Sequence, residues 1–95
     1  MKSPTLLITP LELKQICDEY TLKEGDELRY NDEYYTYLQA LQKLDKADFI
    51  IWCLYTHFGS ERKTAKALGV SRTPLHRLKL EIRDKIITHI NNLKL

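Results

Sequence analysis

Glycine and proline are scarce, three of each in 95 residues, and cysteine occurs only as Cys17 and Cys53. So few glycines leave no Gly-rich loop to cradle a phosphate and no Gly-x-Ser-x-Gly elbow for a nucleophile. The two cysteines are far apart and outside any Cys-x-x-Cys pair, which argues for buried thiols rather than a zinc site or a disulfide. His57, His76 and His89 are equally scattered, so neither an enzyme nor a bound metal or cofactor is expected. No apolar run approaches the roughly 20 residues of a membrane span. The opening MKSPTLLITP has only Leu6-Leu7-Ile8 as an apolar stretch, too short for a signal-peptide core, and a cytoplasmic location is expected. A chain of this length suffices for one domain with one modest core, without room for a separate catalytic domain.

Charge is plentiful but unevenly placed. Residues 1–58 carry six Lys or Arg against ten Asp or Glu, a net of −4, whereas 59–95 carry nine against three, a net of +6. The overall +2 therefore hides a dipole, and a basic end of this kind is the footprint of a nucleic-acid partner.

The acidic half reads as three helices. Thr9, Pro10 and Glu12 form a capping box with proline at the first helical position, followed by Leu13, Ile16, Cys17 and Tyr20 along one stripe. Gly25 and the polar stretch to Arg29 interrupt the pattern. Asn31 is expected to cap a second helix, with Asp32 and Glu33 well placed against its dipole and Tyr34, Tyr37, Leu38, Leu41 and Leu44 on its buried face. Asp45 is expected to cap a third, stapled by Leu44 and Phe49. Its body from Phe49 to Tyr55 is apolar nearly all round, as in an enclosed helix, with Trp52 at the centre of the core. Six tyrosines invite a base-stacking role. Tyr34 and Tyr37 instead follow core periodicity in a region that would repel phosphate. Tyr30 and Tyr35 fall off the stripe and suit a partner surface.

The run from Gly59 to Leu80, GSERKTAKALGVSRTPLHRLKL, spells two helices joined by a tight turn. Ala65 keeps the helices close, Gly69 supplies the positive φ of the reversal, and Leu68, Val70, Leu75 and Leu78 lock one helix across the other. Ser71, Arg72, Thr73, His76, Arg77 and Lys79 are then left to face outward. A helix–turn–helix places such side chains in the major groove, where Arg forks onto guanine O6 and N7 while hydroxyls and helix-start N–H groups reach phosphate.

These residues resemble a Fis-type helix–turn–helix, the module also found at the C-terminus of bacterial enhancer-binding regulators. The shared features are Gly59, Ala65, Leu68-Gly69, Val70, Arg72, Leu75 and Arg77-Leu78. Ser60, Thr64 and Pro74 depart from the usual Asn, Ala and Thr. The longer frame from Ala47 to Ile86 is similar to region 4 of sigma factors, though Lys63 stands where those usually carry an acidic residue. The resemblance implies a small bacterial or phage transcriptional regulator that binds double-stranded DNA in a sequence-specific way. Arg72 and Arg77 would read bases, and Lys63, Lys66, Thr73 and Lys79 would hold the backbone. His76 is read as a groove-facing donor and His57 as the end of a buried helix.

After Leu80 the pattern continues as one helix to about Asn91, with Leu78, Ile82, Ile86 and Ile90 on one face and Leu80 and Ile87 on another. The second face is available for a homodimer, which would double the base pairs read, or is covered within the monomer. The expected architecture is thus all-α, about five helices, with a C-terminal helix–turn–helix whose extended last helix packs on the N-terminal helices. A helical hairpin with a merely solvated basic face is the plain alternative. Two functional rivals also stand: a sigma-like adaptor gripping RNA polymerase or another protein through residues 1–58, and a phage DNA-packaging component using the same motif in a ring.

Overall fold

Five helices follow one another in chain order, and no strand occurs among the described residues, 8–26 and 32–93 of this computed structural model. The chain is all-α. Asn31, expected as a cap, and Tyr30, expected at a partner surface, lie outside the described residues.

Helix α1 (Pro10–Asp18) begins where its capping residues require. The Thr9 hydroxyl accepts the Glu12 N–H at 3.1 Å and donates to the Glu12 carboxylate at 3.0 Å, so this box closes through the two side chains. Helix α2 (Asp32–Gln42) buries Leu38, Ala40 and Leu41, with Tyr34, Tyr37 and Leu44 packed beside them. Helix α3 (Lys46–Phe58) starts after Asp45, whose side chain makes no capping bond, contrary to expectation. The start is held by its carbonyl, which accepts the Phe49 N–H at 2.8 Å. Leu44 and Phe49 pack on the same apolar cluster, consistent with a staple. Gly59 ends α3 in the left-handed region at φ 67°.

Helix α4 (Glu61–Leu68) and α5 (Arg72–Leu93) form the basic end. Ser60 caps α4 by accepting the Lys63 N–H at 3.3 Å, and Gly69 closes it at φ 70°, the positive value expected of the turn. Thr64 is fully buried, yet its hydroxyl donates to the Ser60 carbonyl at 2.7 Å, so no polar atom is stranded between the helices.

The core is built in two clusters. Ile16, Cys53, Leu54, Ala65, Leu68 and Leu75 join α1, α3, α4 and the start of α5. Leu38, Ala40, Leu41, Ile82 and Ile86 join α2 to the later turns of α5. Tyr20, Phe49 and Ile51 pack against both. Trp52 is not the centre of the core. It sits half-buried at the margin, where its indole N–H finds the Tyr37 hydroxyl at 2.7 Å, a partner that a fully apolar centre would deny it. Cys53 is buried and Cys17 half-buried, and both are free thiols, held up in pKa first by burial. A 2.7 Å ion pair from Lys85 to Asp48 fastens α5 to α3.

Candidate nucleic-acid interface

The α4–turn–α5 unit is held together from both sides of the turn. Ala65 and Leu68 on α4 and Leu75 on α5 are buried in one cluster, and Val70 packs against it from the turn. The Val70 N–H returns to the Ala65 carbonyl at 3.0 Å and the Gly69 N–H to that of Lys66 at 3.2 Å, which satisfies the end of α4. With those contacts made, Ser71, Arg72, Thr73, His76 and Arg77 are exposed.

Two adjacent depressions on the first turns of α5 share Thr73. One is lined by Glu61, Arg72, Thr73 and His76, the other by Thr73, Pro74, Arg77, Leu78 and Glu81. The fold therefore brings Arg72, Thr73, His76 and Arg77 onto one continuous surface. Lys63 and Lys66 are exposed too, but they border a separate depression of about 250 Å³ with Phe58 and Ala67, which takes no residue from α5.

Lys79 does not face outward. Its side chain is only 18% exposed, with Nζ 2.8 Å from Glu61 Oε2 and 5.1 Å from the centre of the Tyr55 ring. Leu78, expected to lock the helices, is instead 36% exposed. Helical geometry explains the exchange: Leu75, Ile82 and Ile86 define the inner line of α5, from which Leu78 is rotated by roughly 60° and Lys79 by about 40°. A lysine stem covers apolar surface while its ammonium needs an anion, and Glu61 supplies it.

Glu61 is the residue that sequence reasoning missed. It lies in the first turn of α4, where an acidic group suits the helix dipole, and its side chain is 14% exposed. Lys79 Nζ lies at 2.8 Å, His76 Nδ1 at 2.7 Å and Arg72 Nε at 3.9 Å. The hydrogen bonds from Lys79 and then His76 hold its carboxyl at about 2, well below the ordinary 4.5, and the same bond raises the Lys79 ammonium. The signal was present in the sequence, since Glu61 is the single acidic residue between Gly59 and Leu80 among six Lys or Arg. A lone acid in a basic run is a candidate organiser of that run.

Elsewhere, His57 stands in the last turn of α3, as expected, but it is exposed and stacks edge-on to Phe58 at 5.1 Å. No group of three His, Cys, Asp or Glu among the described residues could hold a metal ion, and no helix there is long and apolar enough to cross a membrane. An apolar groove of about 430 Å³, lined by Pro10, Leu13, Lys14, Cys17, Lys46, Phe49 and Ile50, lies between α1 and α3 in the acidic half. Compared with protein-family models, curated proteins and solved structures, the chain gives no match.

Proposed function

We propose that this chain binds double-stranded DNA sequence-specifically, as a small transcriptional regulator, by inserting the start of α5 into the major groove. The observation that carries the reading is the surface formed by Arg72, Thr73, His76 and Arg77 at the first turns of a helix that a tight, glycine-closed turn sets across α4. Arg72 and Arg77 carry the donors that fork onto guanine, and Ser71, Thr73, Lys63 and Lys66 suit phosphate. Lys79 leaves the phosphate-binding set because Glu61 already neutralises it.

The test is selection from a random duplex pool, followed by titration of the enriched site and of random DNA at several salt concentrations. An enriched site and a log–log salt slope of about −4, from ~4–5 phosphate contacts, are expected. Arg77→Ala should cost about 1–3 kcal/mol at the enriched site and relax its sequence, whereas Lys66→Ala should weaken all sequences alike. Equal losses for both variants on both DNAs would sink this division of labour.

A second reading is favoured by the apolar groove between α1 and α3. There the acidic half grips a protein, such as a polymerase subunit, while the basic half touches promoter DNA. Retention of polymerase by the full chain, lost on Lys46→Glu at the exposed rim of that groove while helicity is kept, would support it. A ring-forming packaging component would show itself as a mass of many protomers in solution.

A further inference from the structure

His76 meets Glu61 through one ring nitrogen alone. Nδ1 lies 2.7 Å from Oε2 and 3.2 Å from Oε1, and Nε2 has no partner among the described residues. An ionised carboxylate accepts hydrogen bonds and donates none, and the ammonium of Lys79 at 2.8 Å keeps Glu61 ionised. Nδ1 must therefore carry the proton. In the neutral ring the other nitrogen is then a lone pair and not an N–H. The ring is half exposed, at 52%, on the turn of α5 that also carries Arg72 and Thr73.

We propose that Glu61 fixes His76 as the Nδ1–H tautomer, so that Nε2 enters the major groove as a hydrogen-bond acceptor and selects a base bearing an exocyclic amine, cytosine or adenine. The inference rests on the DNA-binding reading above. It assigns His76 a role opposite to the donor expected from its residue type. Arg72 and Arg77 offer only donors and therefore favour guanine, while Ser71 and Thr73 can act either way. A bare imidazole nitrogen supplies what these lack. It accepts from cytosine N4 or adenine N6, and it faces an acceptor, O6 or O4, on guanine or thymine, where lone pair meets lone pair. Glu61 is in this scheme a positioning residue, acting on DNA only through the ring it orients.

Two measurements test the proposal. Nitrogen-15 correlation spectra of the histidine rings, recorded at alkaline pH on the free full-length protein, report the tautomer directly. His76 is expected to show a protonated Nδ1 and a bare Nε2, and to lose that preference in Glu61→Gln, whose amide can donate as well as accept. A protonated Nε2 in the wild-type chain would overturn the proposal. On the enriched duplex, adenine is then replaced by purine and cytosine by 2-pyrimidinone, one position at a time, which deletes the amine. One position should lose about three- to tenfold in affinity for the wild-type chain and nothing beyond the loss of base pairing for His76→Ala. No such position, or an equal loss in both proteins, would overturn the acceptor role. If no duplex is enriched, the DNA-binding reading itself fails and His76 has no base to select, while the spectra decide the tautomer independently.

Discussion

A carboxylate with basic side chains gathered round it can be expected to matter most where its charge is removed. Glu61 has its carboxyl lowered from 4.5 to about 2 by Lys79 and His76, so between those values the folded chain binds fewer protons than the unfolded one. Its contribution to stability is complete above about 4.5 and is lost as pH falls toward 2. Thermal unfolding followed across that window should show wild type and Glu61→Gln converging at the acid end and separating, with wild type the more stable, as pH rises from about 2 to 4.5. Parallel curves throughout would mean that Glu61 is solvated and organises nothing. The Lys79 partner has the opposite sense: its raised pKa contributes stability that is present below its ordinary 10.5 and disappears at more alkaline pH.

Among the elements, the turns before and after α4 were the most legible, because each is specified by a residue whose conformation has a local cause. Gly59 and Gly69 both take positive φ, and Ser60 caps, as the spacing requires. At Gly59 an added Cβ would touch nothing within 4 Å, so Gly59→Ala isolates the backbone cost. About 1–2 kcal/mol of stability should be lost in denaturant unfolding, and Gly59→Asn should lose less, since asparagine tolerates that region better. Helix faces were less legible. The pattern of α2 marks Tyr34, Tyr37, Leu38, Leu41 and Leu44, yet it does not mark fully buried Ala40, because alanine carries little weight in a hydrophobic pattern. Residue type alone places Leu78 inside and Lys79 outside, whereas the helical angle favours the reverse. The Glu61 cluster pairs residues 11 to 18 positions apart across a turn, and a one-dimensional pattern holds no information on such a meeting. Trp52 failed for a similar reason: its N–H requirement is met by Tyr37, from a different helix.

At the scale of the molecule, α5 belongs to both clusters of the core, through Leu75 to the one with α1, α3 and α4 and through Ile82 and Ile86 to the one with α2. Ile82→Ala should therefore cost about 2–5 kcal/mol, measured by denaturant unfolding, and both ends should unfold in one transition if they are coupled through that helix. Separate transitions for Trp52 fluorescence and for total helicity would show two independent units. The same helix is an unbroken 22 residues from Arg72 to Leu93, or roughly 33 Å of stiff rod. Its exposed, arginine-bearing tip and its seat against α2 are thus two ends of one lever. Leu75, about 4.5 Å along the axis from Arg72, ties that tip to α1, α3 and α4, so strain at the α2 seat reaches the tip together with α4. If the start of α5 reads DNA as proposed, whatever wedges apart or tightens the seam between α2 and α5 would act on the placement of the arginines without touching them.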